Sequence, residues 1–222
     1  MAGARHEASG HETQARIGVK IMTDRKTRAN GVRDHTDDSP HTHGRWTEVL
    51  KHRWPTALGV AVAALAAFDM ASGLEFAALT VLMALVYLGA AALDRRWSAW
   101  VVLLVGLPFA FFIPSISGID PLVVLFVAAP VFLVLGVARG LLREPGGLPL
   151  QTVGMLAFGS TVLVALFYVD QDLGGKLVAI ALIGHAAWDA YHYLRNRVVQ
   201  RSYAEFCVVV DLLLGAAILF MT

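Results

Sequence analysis

Residues 75–96 read EFAALTVLMALVYLGAAALDRR: one acid, eighteen residues without a charge, then Asp94 followed by two arginines. A helix needs about 20 residues to cross a ~30 Å hydrocarbon core, and a run of this length with charges only at its ends fits that requirement. Six more apolar runs flank it, at about 55–70, 97–113, 121–138, 149–168, 175–194 and 203–221. Every backbone amide in hydrocarbon must be satisfied within its own segment, so each run is predicted to be a helix. The connections are short, so neighbouring helices are antiparallel.

The charges outside these runs fix an orientation. The second, fourth and sixth gaps carry Arg95 and Arg96, then Arg139 and Arg143, then Arg195, Arg197 and Arg201. The alternate gaps carry Asp69 and Glu75, Asp120, and Asp170 and Asp172 with the lone Lys176. Arginines concentrate on the cytoplasmic side of membrane proteins. The expected fold is therefore an all-α polytopic bundle of seven transmembrane helices, N-terminus inside and C-terminus outside, in the cell membrane.

Composition agrees. The chain is 57% hydrophobic and 16% charged, against roughly 45–50% and 25% in soluble domains. Residues 1–53 hold ten of the 18 Lys and Arg, seven of the 17 Asp and Glu and six of the eight His. The remainder has too little charge to keep a soluble surface wet, so the bilayer is its first partner. A formal net charge of +1 leaves no basic stripe for nucleic acid. Cys207 is the single cysteine, which excludes a disulfide framework and thiol redox pairs. No nucleotide-binding loop or serine-hydrolase motif is present; Gly154–Gly159 lies inside an apolar span and is not a phosphate cradle.

Residues 1–44 lack apolar periodicity and are expected to form a disordered cytoplasmic tail, in which His41 and His43 are solvated and Met22 is an alternative start. Residues 45–54 mix basic and aromatic groups, as an interfacial segment does. The transmembrane domain is then 55–222. Pro108 and Pro130 are expected to kink helices 3 and 4. Gly59, Ala63, Ala67, Gly154 and Ser160 offer small surfaces for close helix approach.

Chemistry concentrates in one place. His185, Asp189 and His192 are spaced i, i+4, i+7 and share one face of the sixth helix. Asp211 lies ten residues from Arg201, and His185 ten from Arg195, so antiparallel neighbours set Asp211 and His185 at one level, about 15 Å from the inner boundary at 1.5 Å per residue. An ionisable group at that depth is costly and marks a functional site by default.

Three readings follow. The first is acid–base catalysis on an apolar lipid or isoprenoid substrate. Asp211 donates the proton, His185, Glu75 and Asp189 assist, and Trp188, Tyr191, Tyr168, Phe111 and Phe112 are available to face a developing cation. It needs no cofactor. The second is a metal- or proton-binding transporter or membrane-complex subunit using His185, Asp189 and His192. The two histidines are about 10.5 Å apart along a straight helix, too far to share one ion, so the ligands would be a subset such as His185 with Asp189, or Asp189 with His192, completed by Asp211 or Glu205. The third is a structural one: His185–Asp211 as an interhelical hydrogen bond that sets register.

The run His185-x-x-Trp188-Asp189-x-x-His192, with Arg197-Val198-Val199, Tyr203-Ala204-Glu205-Phe206-Cys207 and Asp211, resembles a C-terminal signature of an uncharacterised family of small bacterial seven-helix membrane proteins. That resemblance covers about the last 40 residues and implies a fold, not an activity. The chain is also similar in topology to the membrane-integral terpene cyclases, small seven-helix proteins with one acidic residue on helix 2 and another on helix 7. That similarity implies a cyclase-like lyase or isomerase, with Glu75 and Asp211 in those positions.

Overall fold

The computed structural model describes residues 42–68, 70–144 and 146–221, and the side chains of 42–52, 111 and 113–115 are outside that description. The tail up to His41, with Met22, and Asp69 are therefore outside the described residues, as are the side chains of His43, of the interfacial residues before Arg53 and of Phe111. The chain divides into units Met1–Glu48 and Val49–Thr222, and the site belongs to the second.

Among the described residues the chain is helical throughout, with seven α-helices and two 3₁₀ turns. They are α1 (Thr42–Phe68), a turn at Gly73–Phe76 leading into α2 (Ala77–Leu93), α3 (Ser98–Ser117), α4 (Pro121–Ala138), a turn at Leu141–Arg143, α5 (Leu148–Phe167), α6 (Gln171–Arg195) and α7 (Arg201–Met221). Six of the predicted runs coincide with these helices to within four residues, whereas α1 begins at Thr42, thirteen residues before the predicted run at 55–70 and through the segment expected to be interfacial.

Local chemistry sets the ends. Asp120 caps α4 by accepting from the Leu122 amide at 2.7 Å, with Pro121 as the first helical residue. Asp170 caps α6 by accepting from the Leu173 amide at 3.0 Å. Asp at the N-cap satisfies one of the amides that a helix start leaves open, and proline there loses nothing. Asp94 and Asn196 end α2 and α6 in the left-handed region, which short Asx side chains tolerate.

Proline acts where the expectation had not placed it. α1 is two helical segments meeting at Arg53 (φ −113°, ψ 17°), two residues before Pro55, whose ring crowds the preceding turn and supplies no N–H. α3 and α4 each continue as one helix through Pro108 and Pro130, whose rings are exposed.

α2 is the axis of the bundle. It packs against α3, α4, α5 and α6, and nearly its whole length is buried, from Ala77 and Ala78 through Ala92. A helix apolar on every face is either surrounded by others or in lipid, and the burial of α2 shows the first. α6 and α7 form the most intimate pair. At Gly215 of α7, an added Cβ would come within 2.8 Å of the Ile183 side chain and 3.0 Å of the Ala179 carbonyl. That close approach lets the polar side chains of α6 and α7 meet. α1 lies on α7 through Gly59, where an added Cβ would come 2.9 Å from the Phe206 carbonyl oxygen.

The outside of the bundle is apolar. Leu65, Phe68, Ile116, Val131, Leu156, Phe167, Leu194 and Phe220 are all exposed, more large apolar surface than water-soluble monomers show. Among the described residues, four helices are long and apolar enough to cross a membrane: Gly73–Leu93, Pro121–Ala138, Leu148–Phe167 and Arg201–Met221. Arg53–Phe68 and Ser98–Ala110 are shorter apolar helices.

Candidate functional site

Helical spacing turns His185, Asp189 and His192 to one buried face of α6, and each is at most 1% exposed. Asp211, on α7, is 0% exposed. His185 Nδ1 lies 2.9 Å from Asp211 Oδ2 and 3.2 Å from Asp189 Oδ2. One ring nitrogen thus stands between two carboxyl groups from two helices. Tyr87, from the apolar run of α2, donates its hydroxyl to Asp189 Oδ1 at 2.6 Å. Two atoms remain without a partner among the described residues: His185 Nε2 and Asp211 Oδ1, both buried.

Charge balance constrains the cluster. With both carboxyls ionised and His185 neutral, two uncompensated charges would lie among apolar side chains. Such burial is strongly unfavourable unless the charge is paired. Each added proton, or one divalent cation, relieves it. The arrangement is therefore suited to holding positive charge, either as shared protons or as an ion.

His192 belongs to a neighbouring layer. Gln151 of α5 points its Nε2 at His192 Nε2, 3.0 Å away, and its Oε1 accepts from Trp188 Nε1 at 3.2 Å. Because the amide nitrogen is a donor, His192 accepts at Nε2 and donates from Nδ1 to the Trp188 carbonyl at 2.9 Å. Both ring nitrogens are then occupied. The metal-ligand set anticipated from α6 alone changes accordingly: the ligand atoms that lie within 4.8 Å of one another are those of His185, Asp189 and Asp211. His192 is not among them, because one helical turn and the Gln151 contact hold it away.

Glu75 is elsewhere. It is exposed, in the turn before α2, and its Oε1 accepts from the amides of Ala71 (3.1 Å) and Ser72 (2.9 Å). It serves as a cap for that turn, and the structure does not bring it to Asp211. Glu205 is engaged with Arg53, 3.3 Å away, and with Thr56. Of the aromatic side chains expected around a substrate, Tyr168 and Phe112 face outward at 80% and 68% exposure, and Tyr191 is exposed beneath the Arg195 guanidinium. Trp188 is committed to Gln151. The rings that meet His185 are instead Phe158, edge-on at 4.9 Å between centroids, and Tyr87 at 5.6 Å.

Tyr87, Gln151 and Phe158 were not singled out from the sequence. A signal existed for the first. Tyr87 is the only residue between 81 and 93 whose side chain carries a hydrogen-bond donor, and it lies seven residues from Asp94, much as Asp189 lies six from Arg195. Counting depth on α2 as on α6 and α7 sets the two at one level. No family model, no curated protein and no solved structure matches this chain. What defines it is an all-helical fold with helices able to cross a membrane, and a buried imidazole held between two carboxyls.

Proposed function

We propose that this chain is a multi-pass protein of the cell membrane with seven spans, N-terminus inside and C-terminus outside. We further propose that its His185–Asp189–Asp211 cluster is the acid–base centre of an enzyme acting on an apolar lipid or isoprenoid, in the manner of a terpene cyclase-like lyase or isomerase. The membrane reading is supported by the apolar outer surface and by the arginines at alternate helix junctions. The chemical reading is carried by one observation. In a network whose other members are paired, one carboxyl oxygen of Asp211 and one nitrogen of His185 are left open.

The chemistry follows from that arrangement. Asp211, as the acid, transfers its proton to one carbon of an alkene; the π pair forms the new C–H bond and leaves a cation on the adjacent carbon. Phe158 and Tyr87, whose rings adjoin His185, are the aromatic groups available to a cation formed there. Loss of a proton from the cation to the cluster forms a new double bond and restores the acid. His185, lying between Asp211 and Asp189, carries the proton back. Tyr87 and Asp189 hold the imidazole and are positioning groups.

The test is a comparison of membrane lipids from cells producing the wild-type chain and from cells lacking it. An apolar species should be consumed and an isomer of equal mass should appear; identical extracts would remove the enzymatic reading. Orientation is tested on a Cys207→Ala background. A membrane-impermeant maleimide applied to intact cells should label Asp172→Cys and leave Arg143→Cys unlabelled until the cells are opened. The reverse pattern would overturn the topology.

A second reading is favoured by the ligand spacing. One imidazole nitrogen and two carboxylate oxygens within 4.8 Å suit a small divalent ion at about 2.0–2.2 Å from each ligand. A metal-binding or transport role predicts stoichiometric metal in the purified protein, lost in His185→Ala. Metal-free wild-type protein after purification without chelators would exclude it.

A further inference from the structure

Two concavities follow one another along α5, the first at the end of α2 and the second between α4 and α5, and their chemistry differs. The first, of about 350 Å³, lies at the helix ends and is lined by Arg95, Arg96 and Arg197, with Asp94, Glu144 and the backbone of Gly146 and Gly147. Three guanidinium groups against two carboxylates leave it net positive. No ion pair holds any of these arginines among the described residues. α5 begins at this pocket, with Gly147 as an N-cap that offers no side-chain acceptor, so the positive end of the helix dipole lies at the same space.

The second concavity, also about 350 Å³, is apolar and lined by residues including Leu88 of α2, Pro130 and Leu133 of α4, and Met155, Gly159 and Ser160 of α5. The two lie about one turn apart. Leu88 of the groove is three residues from Ala91 of the arginine pocket, and Thr152 four from Leu148, a rise of about 6 Å. Leu148, packed on Gly136, is the threshold between them.

An unpaired basic pocket at the membrane face, followed one turn deeper by an apolar groove, has the shape and polarity of one kind of ligand. We propose that this face of α5 is a binding site for a membrane lipid whose phosphate headgroup is net anionic, the phosphate held by Arg95, Arg96 and Arg197 and one chain lying in the groove past Ser160. Guanidinium groups bind phosphate oxygens in pairs, and basic pockets between membrane helices on the cytoplasmic side take anionic headgroups. A free phosphate ion would need the first pocket alone; the groove is what selects the lipid. The proposal rests on the membrane orientation given above and not on the chemistry of Asp211.

The experiment uses the full chain in detergent micelles, with phosphatidylglycerol as the probe, its binding measured by native mass spectrometry. Wild type is expected to bind it in preference to phosphatidylcholine. Arg197→Ala and the Arg95→Ala/Arg96→Ala pair should each weaken binding about tenfold, the loss of one or more charge-assisted contacts. Ser160→Trp, which fills the groove and leaves the arginines intact, should weaken it comparably, and millimolar inorganic phosphate should not displace the lipid. Asp211→Asn should bind the lipid as wild type does, which separates this proposal from the catalytic one. Thermal unfolding of each variant without lipid controls for folding. Equal affinity for the two lipids, or unchanged binding in the arginine variants, would overturn the proposal. So would displacement by phosphate together with no effect of Ser160→Trp, which would show an anion site only.

Discussion

His185→Ala is expected to lower the free energy of unfolding by about 3–5 kcal/mol, the loss seen when one partner of a buried ionic contact is removed. The imidazole stands between two carboxyls, 2.9 Å and 3.2 Å away, and all three groups are at most 1% exposed. Its removal leaves Asp189 and Asp211 facing each other across the space it filled, with no donor between them. An ordinary hydrogen bond between membrane helices contributes only about 0.6 kcal/mol, so the magnitude separates the two cases. A proton shared by the two carboxyls would hold the loss near the lower end of the range. Reversible unfolding in mixed micelles is the measurement. A loss below about 1 kcal/mol would mean that the contact sets register and does little else.

Asp211→Asn is expected to leave the fold in place and reduce turnover of the lipid identified by the membrane comparison by about 10²–10⁴-fold, the usual contribution of a positioned general acid. The amide keeps the shape of the carboxyl and an oxygen within reach of His185, but it has no proton to give. The assay is single-turnover conversion in reconstituted vesicles at equal protein, with thermal unfolding as a control. Conversion within twofold of wild type would remove Asp211 from the chemistry while leaving the architecture intact. Comparable losses in conversion and in unfolding temperature would assign it a structural role.

The helices were readable because hydrocarbon leaves the chain few options. Length, absence of charge and punctuation between runs suffice to place α2, α4, α5 and α7, which the structure shows as helices long and apolar enough to cross a membrane. The level of His185 with Asp211 was also within reach, since both helices end in arginines that mark the same plane. Lateral arrangement was not. Nothing in the sequence says that α2 stands at the centre, because apolar residues face neighbours and lipid equally well. Tyr87 was overlooked for that reason: its role depends on α2 packing on α6, which depth alone does not give. A chemical role for Glu75 follows from its place at the start of the second run, yet an acid three residues after Ser72 is also what a capping box requires. The local reading describes its position in the structure. His192 was grouped with His185 by helical face, and only Gln151, from another helix, shows that its nitrogens are already engaged.

His185 of α6 and Asp211 of α7 are expected to behave as one energetic unit inside the bundle. A double-mutant cycle tests it most directly, with His185→Ala, Asp211→Ala and the double variant unfolded reversibly in the same micelles. The expected coupling between the two sites is above about 1 kcal/mol, beyond what distant, independent positions show. Losses that add to within about 0.3–0.5 kcal/mol would contradict it, and with it the acid–base centre.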